Sequence, residues 1–254
     1  MVKLSATVIT FNEERNIRRC IESLLPIADE IFIVDSFSKD RTKEIAAEYP
    51  VVRFIENPFE GHIQQKNFAL CHAKYDWVIS LDADEALTPE LTASIKKVML
   101  NPEREGYRFN RFTYYCGHWV RHSGWYPDTK LRLVKKSNAE WRGTNPHDKL
   151  ELIDGSDSGF LEGDLLHYSY YAPEEHFRQI EYFGTIAASE MFRKGKKVGY
   201  PLMYLKVAAH FIKAYFFKLG FLDGKTGWLV CTRSAYGTYV KYKKLMSLNK
   251  QTGR

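Results

Sequence analysis

The chain has no close pair of cysteines. Cys20, Cys71, Cys116 and Cys231 are widely spaced and form no C-x-x-C motif. This argues against a zinc site or a disulfide framework and fits a reducing cytoplasm. Long apolar runs are missing too. No uncharged stretch reaches the roughly 18–20 residues of a spanning helix. The first apolar run meets Asn12-Glu-Glu-Arg too soon for a signal peptide. Glycine is absent from the turn after that run, Thr10-Phe-Asn-Glu-Glu, which argues against a glycine-rich phosphate loop of the nucleotidyltransferase kind. The net charge of +6 is moderate and not gathered into one basic stripe. No nucleic-acid partner is expected, although phosphates or anionic lipid suit the sign.

What is present suits a folded α/β protein. The 254 residues, 44% of them hydrophobic, suffice for one large domain with an extension. The first hundred or so alternate strand and helix patterns. Strands are expected at Leu4–Thr10, Ile31–Val34, Val51–Ile55 and Trp77–Leu81. Ile17, Cys20, Ile21, Leu24 and Leu25 recur at helical spacing, with Asn12 as expected cap and Pro26 as stop. Asp40 is expected to cap a helix through Glu48, another helix covers roughly Ile63–Ala73, and Thr88-Pro89-Glu90 opens a further one. Strands separated by helices imply a Rossmann-like, mostly parallel sheet with helices on both faces.

Such sheets bind ligands beyond the carboxyl ends of their strands. Thr10-Phe-Asn-Glu, Asp35-Ser36 and Asp82-Ala-Asp84 all fall there. Asp82 and Asp84 follow the apolar run Val78-Ile-Ser-Leu, so a buried strand delivers two carboxylates to one rim. Hard oxygen ligands there suit a divalent cation holding a diphosphate.

After Gly106 the pattern changes. Tyr107–Tyr115 and Lys130–Val134 read as antiparallel additions, with a long aromatic loop between them. Glu174–Lys194 reads as a helix. Tyr204, Val207, Ala208, Phe211, Ile212, Tyr215 and Leu219 recur at helical spacing, interrupted by Lys206, His210, Lys213 and Lys218. This amphipathic segment either packs on the main domain or lies at an anionic membrane surface. The expected organisation is one α/β domain over 1–170, divided near residue 100, and a helical extension over 171–254.

The series Thr7-Val-Ile-Thr-Phe-Asn-Glu-Glu, Glu30-Ile-Phe-Ile-Val-Asp-Ser-Phe-Ser-Lys-Asp-Arg-Thr, Gln65-Lys-Asn-Phe-Ala-Leu and Leu81-Asp-Ala-Asp-Glu resembles the family 2 inverting glycosyltransferases of GT-A fold. Gly124-Trp-Tyr-Pro-Asp-Thr-Lys-Leu-Arg-Leu, Pro146-His-Asp and Gly220-Phe-Leu-Asp-Gly-Lys-Thr-Gly are similar to the branch containing lipopolysaccharide core glucosyltransferases. Two positions depart from that branch: Asp148 stands where a Glu is common, and Phe37 interrupts an Asp-Ser-Gly-Ser pattern.

The resemblance implies transfer of a hexose, glucose in that branch, from a UDP-linked donor to a lipid-linked or lipopolysaccharide-core acceptor. It implies Mg²⁺ or Mn²⁺ at Asp84, with Asp82 near the ribose and Asp35 on a pyrimidine edge. Thr10, Asn12, Glu13, Lys66 and Asn67 would line the nucleotide. His147 and His167 are candidates for the metal or diphosphate, and Arg132 and Arg142 for neutralising the diphosphate. The base expected is Asp128, with its flanking aromatics as a sugar platform, and Asp148 is the rival. The expected location is the cytoplasm, at the inner face of the membrane.

Three other readings compete. A D-x-D phosphatase needs its nucleophile near the first strand, whereas Asp82 follows the fourth. A transferase for another cell-surface polysaccharide shares the same motifs. An inactive glycan- or membrane-binding module would not need the acidic set.

Overall fold

The structure is a computed structural model describing residues 2–144 and 147–252; for His147 only the backbone is described. The chain forms two compact units, Met1–Phe112 with Asp128–Tyr168, and Thr113–Pro127 with Ser169–Arg254. The segment Thr113–Pro127 thus belongs with the C-terminal helices.

The first half of the chain runs β1 (Leu4–Thr10), α1 (Ile17–Leu24), β2 (Glu30–Asp35), α2 (Thr42–Ala46), β3 (Val52–Glu56), α3 (His62–His72), β4 (Trp77–Asp82), β5 (Glu85–Leu87) and α4 (Pro89–Val98). It continues through β6 (Gly106–Tyr115), β7 (His118–Trp119), β8 (Asp128–Lys135), β9 (Ala139–Thr144), β10 (His147–Leu152) and β11 (Gly159–Tyr170). Helices α5 (Pro173–Arg193), α6 (Tyr200–Ile212) and α7 (Gly224–Gln251) follow.

The main sheet has the order β3-β2-β1-β4-β8-β6-β11-β5. The pairs β3-β2, β2-β1 and β1-β4 are parallel. The pairs β4-β8, β8-β6 and β11-β5 are antiparallel. A separate hairpin joins β9 to β10.

Alternation along the parallel strands feeds two apolar layers. Ala6, Val8, Ile31, Ile33, Ile79 and Leu81 pack with α1 and α4. Phe32 and Val34 face Ala69 of α3, and Val78 faces its Leu70. Helix α1 buries Ile17, Cys20, Ile21 and Leu24, the i, i+3, i+4, i+7 stripe of its sequence. Each buried aliphatic contributes about 1.5–3 kcal/mol. Helix α4 starts as its sequence predicts: Thr88 accepts from Leu91 N, and Pro89 opens the first turn.

Two local expectations need correction. Asn12 does not cap α1, which starts at Ile17 with Asn16 before it. Asn12 is in the left-handed region at φ 55. Its Oδ1 accepts from Lys39 N at 2.7 Å, and its N donates to Ser38 Oγ at 2.7 Å. Its polar groups are therefore spent joining the turns after β1 and β2. The helix expected through Glu48 ends at Ala46. Asp40 instead accepts from Thr42 N at 3.0 Å and Glu14 N at 2.9 Å.

In the C-terminal unit, α5 begins with Pro173, and Glu175 folds back to accept from Ala172 N at 3.1 Å. Helix α7 packs along α5, where a Cβ on Gly184 would come within 2.8 Å of Val240. The Gly220–Gly227 motif is a close-packed turn: a Cβ on Gly227 would lie 1.8 Å from Gly220 O.

Candidate active site

Register places the site. Thr10 pairs with Asp35 across β1 and β2, and Ile9 pairs with Asp82 across β1 and β4. The carboxyl ends of these parallel strands therefore form one rim.

On the β2 side, Asp35 is buried and accepts from Ser38 N at 2.7 Å and from Ser38 Oγ. This fixes the Ser36–Ser38 turn, in which Phe37 stands at φ 62. Gln65 of α3 braces the turn through Ser36 Oγ at 3.1 Å. Thr10 Oγ1 is buried without a hydrogen-bond partner among the described residues.

On the β4 side, charges are tightly interleaved. Lys66, only 4% exposed, places Nζ 3.0 Å from Asp82 Oδ1 and 2.8 Å from Asp148 Oδ2. Arg132 Nη2 lies 3.4 Å from Asp82 Oδ2 and 3.0 Å from Glu85 Oε1. Burial pushes the Asp82 carboxyl up, but the Lys66 and Arg132 charges outweigh it and hold Asp82 well below the usual range. The indole of Trp141 backs both cations, 4.4 Å from Lys66 Nζ and 5.2 Å from the Arg132 guanidinium carbon.

Asp84 has a different partner. Its Oδ2 lies 3.2 Å from His167 Nε2 on β11. Glu13 is close enough to this pair to feel it: burial first, then the Asp84 charge, push its carboxyl up to about 7. Asn16 Nδ2 donates to Glu13 Oε2 at 2.7 Å, which partly opposes that shift.

The D-x-D pair is thus split. Asp82 is neutralised by fixed cations, while Asp84 sits with an imidazole and a second carboxyl. An imidazole nitrogen and a carboxylate oxygen about 3 Å apart match adjacent ligands of a Mg²⁺- or Mn²⁺-sized ion. Among the described residues no three His, Cys, Asp or Glu side chains converge as a metal set. A cation held by one or two side chains and by substrate phosphates needs no third.

The two base candidates differ in their surroundings. Asp148 meets Lys66 through one oxygen. Asp128 is clamped through both: Arg111 Nη2 lies 2.8 Å from Oδ2 and Lys130 Nζ 2.9 Å from Oδ1. Burial raises the Asp128 carboxyl, but Arg111 and Lys130 pull it below its ordinary value.

Other residues singled out from sequence have other partners. Asn67 is occupied with the backbone of Trp141. Arg142 pairs with Glu140 at 2.8 Å, and both are exposed. Trp125, in the C-terminal unit, packs edge-on to Tyr115 at 5.8 Å. The His147 side chain lies outside the described residues.

Glu85 and Arg111 were missed. Glu85 is fully buried, accepts from Asp82 N at 3.0 Å, and receives Arg132 at 3.0 Å and Arg111 at 3.5 Å. Its sequence signal was its place directly after the D-x-D; Arg111 gave none beyond alternation in β6.

Residues 5–151 match the family described as glycosyl transferase family 2. The chain belongs to this family. The transferase is 29% identical over 259 residues to an uncharacterized glycosyltransferase of Rickettsia bellii, covering 98% of this chain and 88% of that one. It is 27% identical over 251 residues to the lipopolysaccharide core biosynthesis glycosyltransferase LpsC of Rhizobium meliloti, covering 94% and 93%. In fold it resembles the crystal structure of S. aureus TarS 1–349 in complex with UDP, with a TM-score of 0.52 and 14% identity over 100% of this chain and 92% of that chain. The transferase has a GT-A-like fold with a long C-terminal helix.

Proposed function

We propose that this glycosyltransferase moves a hexose, glucose in the first instance, from a UDP-linked donor to a lipopolysaccharide-core or other lipid-linked acceptor, with inversion at the anomeric carbon. The observation that carries the reading is the split D-x-D: Asp84 beside His167, and Asp82 held by Lys66 and Arg132. The similarity to LpsC supports the acceptor class. The fold shared with TarS, solved with UDP, supports a uridine donor.

Asp84 and His167 would hold Mg²⁺ or Mn²⁺ against the donor diphosphate. Bound there, the cation supplies Lewis-acid stabilisation of the leaving group. Asp35 and Thr10 stand on the nucleoside side of the rim. Lys66 and Arg132 hold Asp82 ionised. Asp148 takes the acceptor hydroxyl proton: it meets Lys66 through one oxygen, whereas both oxygens of Asp128 are in ion pairs. A lipid-linked acceptor would place the work at a membrane surface.

The test is a donor screen with purified protein, read with a thermal shift. UDP with Mn²⁺ should raise the melting temperature of the native protein. Asp84→Ala and His167→Ala should abolish the Mn²⁺-dependent part. A product with retained configuration, or no shift with any nucleoside diphosphate, overturns the reading.

A further inference from the structure

The C-terminal unit exposes an apolar surface that its own fold does not use. Of the 13 residues of α6, Met203 is the one fully buried, although Lys206 and His210 are its only polar side chains apart from tyrosine hydroxyls. The next turns are equally open. Phe217 is 79% exposed, Leu205 65%, Leu222 57% and Phe216 55%. Soluble monomers rarely expose contiguous apolar patches above a few hundred Å² without a partner.

The surface is built rather than slack. Phe211 and Tyr215 pack edge-on against Trp228 at 5.3 and 5.5 Å, forming a base from which the exposed side chains project. Leu219 is held at φ 54, a conformation uncommon outside glycine, at the tip between Lys218 and Gly220.

Charge decides the occupant. Across 200–229 the cations are Lys206, Lys213, Lys218 and Lys225, all exposed, and the one acidic residue is Asp223. Asp223 is occupied internally, accepting from His122 N at 2.8 Å and meeting His122 Nδ1 at 2.9 Å. None of the four lysines forms an ion pair among the described residues. Aromatic and leucine side chains edged by lysines suit the boundary of an anionic bilayer. A second copy on the same face would bring lysine against lysine. No helix among the described residues is long and apolar enough to cross a membrane.

We propose that residues 200–229 form a peripheral docking face for an anionic lipid surface, with Phe216, Phe217 and Leu222 entering the interface and Lys213, Lys218 and Lys225 meeting lipid phosphates. The inference stands independently of the donor chemistry in the other unit.

The test is vesicle flotation of the full chain with phosphatidylcholine alone and mixed with phosphatidylglycerol. The protein should float with the mixed vesicles and remain below with the neutral ones. Phe216→Ser/Phe217→Ser/Leu222→Ser and, separately, Lys213→Glu/Lys218→Glu/Lys225→Glu should each weaken partitioning at least about a hundred-fold. These side chains are exposed, so each variant should keep the parent melting temperature. Should one fail to fold, the other still decides. Wild type left in solution with both vesicles overturns the proposal, as does undiminished flotation of a folded variant. Sedimentation showing a dimer that the serine variant dissociates assigns the face to self-association instead.

Discussion

Asn67 holds both backbone groups of one residue, Trp141: its Nδ2 donates to Trp141 O at 2.9 Å and its Oδ1 accepts from Trp141 N at 2.8 Å. The carboxamide takes the place a neighbouring strand would have at β9. Since Asp148 pairs with Gly143 in the β9-β10 hairpin, this latch sets the hairpin against α3. Lys66, the residue before Asn67, then meets Asp148. Asn67→Ala removes both bonds and should destabilise the protein by about 1–3 kcal/mol. Turnover should fall more than donor affinity, because the displaced group is Asp148 and not the D-x-D. Urea unfolding with steady-state kinetics reads both. Unchanged turnover in a destabilised variant would reduce Asn67 to a purely structural role.

The choice of base makes a ranked prediction. General-base catalysis contributes typically about 10²–10⁴-fold. Asp148→Asn should cost at least about a hundred-fold in kcat. Asp128→Asn should cost far less, because its ion pairs with Arg111 and Lys130 already hold it below ordinary basicity. Both variants should retain the thermal shift with UDP and Mn²⁺. The reverse ranking moves the base to Asp128.

Lys66 is the shared cation of Asp82 and Asp148. Removing one partner from a buried ion pair costs about 3–5 kcal/mol, so Lys66→Met should be strongly destabilised at neutral pH. The pH dependence has a definite sign. Asp82 is depressed in the folded state, so its contribution is present above the unfolded value and is lost as pH falls through the folded one. With Lys66 gone the folded value rises, and acid unfolding should begin at higher pH. Circular dichroism along an acid titration checks this.

The parallel half of the fold was legible because its signals are local. Leu4–Thr10 and Trp77–Leu81 are buried runs closed by polar residues, and Thr88-Pro89 marks a helix start that the structure keeps. The rim followed from strand order alone. What escaped depended on partners distant in sequence. The β9-β10 hairpin contains Arg142, Gly143 and Lys149, which break any clean alternation. Strand β5 has three residues and exists through its pairing with β11. The 28 residues of α7 include glycines at 227 and 237, which lower helix propensity, so the pattern set no bounds for this helix within the helical extension. His167 was one of two histidine candidates; its approach to Asp84 is set by the register of Glu85 with His167.

His176 gives a pH signature in the C-terminal unit. It is 5% exposed, with Nδ1 3.1 Å from the Tyr115 hydroxyl. Burial, with the Arg233 charge added, pushes its imidazole down to about 4. For a depressed histidine, the unfolded chain binds the proton more readily, so stability is full above the unfolded value of about 6.5 and is lost as pH falls toward 4. The melting temperature should decline across this window in the wild type. His176→Gln, which cannot titrate, should show a flatter profile from a lower starting point. Parallel profiles for both proteins would remove His176 as the source.

The glycines of the 220–227 turn are not equivalent, and alanine substitution separates two reasons for glycine. At Gly227 a Cβ would meet Gly220 O at 1.8 Å, a backbone atom that has no rotamer with which to yield. At Gly224 nothing lies within 4 Å of the Cβ position, and the constraint is backbone conformation alone, φ 58 with ψ −133. An alanine held in this sparsely populated region, outside the left-handed helical well, costs about 1–3 kcal/mol. Overpacking costs about 1–3 kcal/mol and more where the neighbour cannot move. Gly227→Ala should therefore lower the melting temperature well beyond Gly224→Ala, since α7 can accept the methyl only by moving off the turn that carries Gly220. Equal losses at the two positions would mean that the turn is held by backbone conformation and not by close approach.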